Sequence, residues 1–155
     1  MLERLRQSVS SPDAGRLALR VFVFGTLFLK HGTPKLFGFN AELVGYPDVF
    51  HLGPVLTLII ATIADGICSM LIVVGFATRW AVVYSFCNFA VGWGMVHGFA
   101  IFGTEGRVAE QITIYLAGCV AVFCLGPGKY SVDGPIAASA EKRRLAGEDV
   151  SPVRA

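Results

Sequence analysis

Charge is what this sequence has least of. Residues 80–96 and 112–125 contain no Asp, Glu, Lys or Arg, and a helix on the surface of a soluble protein needs a polar face that such stretches cannot supply. Over 155 residues only 15% are charged and 54% are hydrophobic, against roughly 25% charged in soluble domains. Together with a mean hydropathy of +0.63, this excludes an ordinary soluble domain and makes lipid the natural solvent of the apolar stretches. Cysteine is sparse and unpatterned: Cys68, Cys87, Cys119 and Cys124 form no CxxC pair and no Cys/His metal spacing. All fall within apolar stretches and read as small buried side chains rather than a redox pair, with Cys119 and Cys124, five apart, on different sides of one helix. No haem or iron–sulfur signature, internal repeat or low-complexity segment is present. The net charge of +2 includes no folded basic face, so nucleic acid is not an expected partner. The first apolar stretch is also a poor signal peptide and is expected to remain as a span, because Arg20, Lys30 and His31 interrupt it and Phe39, Asn40 and Ala41 make no convincing small-residue cleavage site.

Four apolar stretches fill what remains: 17–37, 54–77, 80–99 and 108–125. Each is about 18 to 24 residues long, enough to cross ~30 Å of hydrocarbon at ~1.5 Å per residue. Ser11, Pro12 and Asp13 mark the start of the first helix, residues 75–79 make a tight turn, and Gly126, Pro127 and Gly128 a sharp stop. The segment 38–53, with Phe39, Tyr46 and Phe50, suits a loop or short helix at a membrane interface, where Tyr46, Trp80 and Trp93 read as anchors or packing. Arg4, Arg6 and Arg16 precede the first stretch, Arg79 lies in the second turn, and Lys129, Lys142, Arg143, Arg144 and Arg154 follow the last. The other loops hold only Lys35, at a span end, and Arg107. The expectation is an all-α, multi-pass integral membrane four-helix bundle in the lipid bilayer, with both termini cytoplasmic. Residues 1–15 form a cytoplasmic lead and 135–155 a flexible charged tail, partly helical, with Gly147 and Pro152 fraying it.

Into these spans are set Arg20, Lys30, His31, Lys35, Asp65, His97 and Glu110, and an ionisable group inside a membrane span is a functional candidate by default. Steps of three and four residues place Arg20, Phe24, Leu27, Phe28, His31 and Lys35 on one stripe, with Lys30 turned away. Ala61, Thr62, Asp65, Cys68 and Ser69 form a second stripe, and Glu110, Thr113, Ala117 and Ala121 a third. Counted from the outer ends at ~1.5 Å per residue, Glu110 and His97 lie about 5 Å deep, His31 about 10 Å and Asp65 about 16 Å. His31, Lys35 and Glu110 are therefore expected to line one outer pocket. Asp65 is expected to face the bundle and pair with Lys30 or His31, since an unpaired charge there costs about 2.5 to 3.5 kcal/mol. Arg20 can snorkel to the inner surface. These groups fit either a buried network that fixes the bundle or a site that handles protons or a ligand.

The segment Phe28-Leu-Lys-His31-Gly32-Thr-Pro-Lys35-Leu-Phe37-Gly38-Phe39 resembles the DoxX pattern of an aromatic-rich first span ending in HG, two variable residues, a Lys and an aromatic with glycine. Asp65-Gly66 followed by Gly75-Phe-Ala-Thr78-Arg79 is similar to the family's acidic-Gly segment and G-x-x-T-R turn, with Asp65 where Glu is common. Glu110 and Gly126-Pro127-Gly128-Lys129-Tyr130-Ser131-Val132-Asp133 resemble its fourth span and GPG-[RK]-x-S-x-D ending. The resemblance covers about residues 16–134 and implies a four-span membrane domain in a bacterial-type inner membrane. Relatives are similar to subunits of thiosulfate:quinone oxidoreductase or associate with membrane redox and thiol-homeostasis complexes, and the broad superfamily includes membrane-protein assembly factors.

Two functional expectations follow. One is a quinone-linked subunit of a membrane redox complex with no intrinsic cofactor, in which His31 and Lys35 donate to a quinone oxygen, Asp65 and Glu110 handle protons, and Arg20 and Lys30 balance charge. Its electrons would come from a membrane or membrane-associated redox partner. The other is a non-catalytic accessory or assembly subunit whose small-residue faces meet another membrane protein or a second copy of the chain.

Overall fold

A computed structural model of the chain describes residues 11–49, 51, 53–99 and 104–145, and among these there are helices and connections but no strands. Arg4, Arg6, Phe50, Gly147, Pro152 and Arg154, and the side chains of Arg107, Lys142, Arg143 and Arg144, lie outside that description.

Helix α1 spans 12–37 and opens where Ser11, Pro12 and Asp13 place it: the Ser11 hydroxyl accepts from Ala14 N at 3.2 Å, and Pro12 occupies the first turn. It contains two wide, π-type turns, Arg20–Phe24 and Phe28–Gly32. A short helix, α2 (Phe39–Leu43), follows Gly38, and the connection to residue 53 is braced by Gly53 N donating to Asp48 at 3.1 Å. Helix α3 (Pro54–Val74) has a wide turn at Ile63–Cys68, and α4 (78–96) one at Gly92–Val96. Helix α5 is Thr104–Leu125 and α6 is Asp133–Leu145, so the expected tail begins as a helix. Two of these, Pro54–Val74 and Val108–Leu125, are long and apolar enough to cross a membrane, with mean hydropathies of 2.2 and 1.8.

Packing runs α1 on α3, α3 on α4, α4 on α5, and α5 back on α1. The core is mainly apolar: Phe24 and Leu27 from α1, Ile72 from α3, Val82 from α4, Cys119 and Val122 from α5. The expected α1 stripe is the buried face: Arg20, Phe24, Leu27 and Lys35 are buried and Phe28 and His31 half-buried, while Lys30 is exposed. The α3 stripe is inward too, with Ala61, Asp65, Cys68 and Ser69 buried. The α5 stripe is not. Glu110, Thr113 and Ala117 are exposed, and α5 turns inward Tyr115, Cys119 and Val122 instead. Uniform burial of the cysteines also fails, since Cys87 and Cys124 are exposed.

At one end of the helices, the clasp end, the chain after α5 ties the others together. Asp133 accepts from Ala77 N at 3.0 Å, Thr78 N at 2.9 Å and the Thr78 hydroxyl at 2.7 Å, capping α4 from 55 residues away. Burial pushes its carboxyl up, but the hydrogen bonds from Thr78 and Ala77 and the Arg20 charge outweigh that and hold it below the ordinary Asp value. Arg20, with no exposed surface, donates Nη1 to the carbonyls of Ile72 and Val73 at 3.2 and 3.1 Å and Nη2 to that of Tyr130 at 2.5 Å. Gly75 is required between them: its φ is +79°, and a Cβ there would lie 2.2 Å from Arg20 Nη1 and 2.4 Å from Ser131 Cβ. Arg20 therefore does not snorkel; its two terminal nitrogens bond inside to these three carbonyls, while its buried Nε has no partner among the described residues.

Candidate functional site

The opposite end, the cavity end, is built around one buried ion pair. Lys35 Nζ donates to Asp65 Oδ2, with the two residues 9% and 5% exposed. This corrects the expected pairing of Asp65 with Lys30 or His31. The reason is a close approach of the two wide turns. A Cβ on Gly32 would lie 2.4 Å from the carbonyl oxygen of Asp65, and one on Gly66 would lie 2.9 Å from Leu36 Cδ1. With α1 pressed on α3 here, Lys35, one turn past Gly32, can fold its four-carbon stem back along the helix onto Asp65. Lys30 stays on the outer face. On α3 the Ser69 hydroxyl is shared between the backbone carbonyls of Asp65 and Gly66, holding the wide turn from below.

Beside the pair lies a cavity of about 340 Å³ reached by side chains of α1, α3, α4, α5 and the 44–49 connection. Two buried polar atoms on its wall, Asp65 Oδ1 and His31 Nε2, have no hydrogen-bond partner among the described residues. Leaving such atoms unsatisfied costs about 1 to 3 kcal/mol each. The rest of the wall is mostly aromatic and apolar. The His31 ring meets Tyr115 edge-on at 6.1 Å and 85°, and Tyr115 stacks on Phe89 at 5.4 Å and 23°, which locks α1, α5 and α4 together. Tyr46 closes in from the connection; burial, then the charges of Asp65 and Glu42, push its phenol up to about 12, so it stays a neutral hydrogen-bond donor.

The expected site residues divide sharply. His31, Lys35, Asp65 and His97 line the cavity; Glu110, Lys30 and Arg20 are not on its wall. The trio of His31, Lys35 and Glu110 is therefore split. Tyr115 fixes the rotation of α5 by interlocking with His31 and Phe89, and Glu110, five residues earlier, is about 140° away around the helix. Asn88 and His97 would lie on opposite faces of a regular α-helix, yet both reach the cavity, because the wide turn Gly92–Val96 between them shifts the helical phase. Trp80 is 82% exposed, as an anchor would be, and Trp93 packs on Phe99 at 5.4 Å. Tyr46, expected as an anchor or packing residue, lines the cavity, and so do Gln111 and Tyr115, which the sequence does not mark as site residues. No pattern in the sequence marks the rotation of α5 that brings Tyr115 and Gln111 there.

What the arrangement can do is hold a ligand that offers complementary hydrogen bonds. Among the described residues, no three His, Cys, Asp or Glu side chains are placed to hold a metal ion. The family model for DoxX matches residues 15–98, from the first turn of α1 to just past α4. The chain belongs to the DoxX family. It is a DoxX-family membrane protein, and the matched segment carries Arg20, His31, Lys35, Asp65 and His97, stopping short of Glu110 and the clasp at Asp133. No curated protein and no solved structure matches it.

Proposed function

We propose that this DoxX protein is a four-span inner-membrane subunit of a redox complex whose cavity takes a quinone headgroup. The observation that carries the reading is the pair of buried, unpartnered polar atoms, His31 Nε2 and Asp65 Oδ1, on the wall of one largely aromatic and apolar cavity. At about 340 Å³ the cavity sits at the small end of ligand pockets, which run from about 300 to 1,000 Å³. Large apolar side chains face outward from all four long helices, including Phe22 (74% exposed), Ile67 (49%), Trp80 (82%) and Ile114 (59%). Four spans bathed in lipid account for that surface, which a soluble monomer rarely carries. The basic residues near the clasp end, Arg16, Arg79 and Lys129, favour an orientation with that end and both termini on the cytoplasmic side and the cavity end outside.

His31 and Tyr46 donate to carbonyl oxygens of the headgroup, and the Phe89–Tyr115 stack lies against its ring face. A bound quinone supplies two-electron, two-proton redox chemistry. Asp65 Oδ1 and His31 Nε2, both on the cavity wall and without a partner among the described residues, are the atoms placed to accept or pass on a proton. Electrons come from a membrane or membrane-associated redox partner. The outward stripe of Glu110, Thr113 and Ala117 on α5 favours a second reading, an accessory or assembly subunit that meets another membrane protein, or a second copy, through that face.

Purification in mild detergent followed by lipid extraction and mass analysis tests the two. Stoichiometric quinone that is lost in His31→Ala, while the protein still accumulates folded, is the expected result, with affinity falling by about 1 to 3 kcal/mol. A stable protein partner without quinone would replace the first reading by the second.

A further inference from the structure

We infer that the cavity is loaded sideways from the lipid, between α3 and α4, and that its ligand therefore carries a hydrocarbon tail which remains in that seam. The inference rests on the quinone reading and specifies the class, a lipid-dissolved quinone rather than a small water-borne one. Four features of the seam support it. First, α3 and α4 are joined towards the clasp end, where the Ser85 hydroxyl donates to the carbonyl of Ala64 at 3.5 Å and the Tyr84 hydroxyl to that of Ile60 at 3.3 Å. Second, beyond that point the segments Pro54–Thr62 and Gly92–Val96 have little packing between them. Third, a Cβ on Gly92 would meet nothing within 4 Å, although Gly92 is a wall residue. Fourth, Ile60 and Val91 are half-buried and Cys87 is exposed, so these wall residues keep accessible surface.

At the level of the ion pair the other sides carry contacts among the described residues: α1 meets α3 through the Gly32–Asp65 approach and the Lys35–Asp65 pair, α1 meets α5 through His31 and Tyr115, and α5 is stacked on α4 through Tyr115 and Phe89. The ion pair and His31 lie at the α1 side of the wall, and α3 and α4 contribute the apolar Ile60, Cys87 and Val91 beside the neutral polar Thr57, Tyr84 and Asn88. An amphiphile entering head first would meet polar atoms with its head and leave its tail against apolar side chains already facing lipid.

Photolabelling of the whole protein in lipid nanodiscs tests this, using a fully substituted benzoquinone with a diazirine in its decyl tail and decylubiquinone as competitor. Competed label on Ile60, Cys87 or Val91 is expected. Competed label confined to the 44–49 connection, His97 and Val108 would overturn the lateral route while leaving the quinone reading intact. Absence of any competed label would remove the quinone reading, and this inference with it. As a second measurement, Gly92→Leu fills the seam from the α4 side. It should weaken decylubiquinone binding about tenfold more than binding of tail-less duroquinone, the equivalent of losing the burial of roughly two methylenes. Equal weakening of both quinones would overturn the tail's place in the seam.

Discussion

The two ends of the molecule use the same kinds of buried charge to different degrees of completion. At the clasp end Arg20 places both terminal nitrogens on carbonyls of Ile72, Val73 and Tyr130, and Asp133 fills both carboxylate oxygens with donors from Ala77 and Thr78. At the cavity end Asp65 has one oxygen on Lys35 and one with no partner, and His31 Nε2 has none. Arg20 Nε has no partner among the described residues, but the rest of these two charged groups is bonded within the chain, which stabilises the fold. A buried charge left half-satisfied beside a cavity is costly unless something else completes it, which marks it for a ligand. Burial and charge alone would have ranked Arg20 and Asp65 alike.

Four substitutions can break or sharpen this contrast, each read by chemical or thermal unfolding in detergent. The largest effect should come from Lys35→Met, which strands the Asp65 carboxylate in the interior and should cost roughly 3 to 5 kcal/mol. The double variant Lys35→Met/Asp65→Leu should recover most of that loss. If the single variant is as stable as the parent, the pair is not buried as described.

Next is Asp133→Ala, which removes three hydrogen bonds from the clasp and should cost about 2 to 3 kcal/mol without changing quinone affinity. The same group sets a pH dependence. Its folded pKa lies below the ordinary Asp value of 3.8, so its contribution is fully present above that value and is lost as pH falls through the lower folded one. Stability should therefore decline on acidification in the parent, and the decline should be shallower in Asp133→Ala. Equal slopes would remove Asp133 from the acid response.

Gly32→Ala drives a methyl group into the Asp65 carbonyl and should cost about 1 to 3 kcal/mol. Unlike Asp133→Ala it should also weaken ligand binding, because it pushes α1, with His31 and Lys35, off α3. A fall in stability with unchanged binding would show that the close approach does not position the site.

The smallest effect belongs to Glu110→Gln. Glu110 is exposed and off the cavity wall, so stability should stay within about 0.5 kcal/mol and quinone affinity should not move. A large loss of binding would return Glu110 to the site and contradict the rotation of α5.

Much of the fold is legible along the chain because it follows from local rules. The start of α1 at Ser11 and Pro12, the turn at Gly75, the stop at Gly126 and the inward stripe from Arg20 to Lys35 all depend on residues a few positions apart. Helix phase was a sound guide on α1 and α3, where inward positions recur at steps of three and four. It failed on α5 because two stripes are available there, one small and polar through Glu110 and one through Tyr115, Cys119 and Val122. The choice between them rests on the facing rings of His31 and Phe89.

By itself the sequence determined an all-helical, lipid-compatible chain with His31, Lys35 and Asp65 on inward faces, because apolar length and helical periodicity are properties of single segments. Tertiary structure alone decided that Lys35 rather than Lys30 or His31 reaches Asp65, that Arg20 is absorbed by the clasp, and that Glu110 is left outside. Those outcomes depend on distances between helices. The Gly32–Asp65 contact sets the spacing, and the wide turns at Phe28–Gly32, Ile63–Cys68 and Gly92–Val96 reset the phase. An extra residue in a turn leaves no signature in hydropathy, yet it decides which side chain meets which.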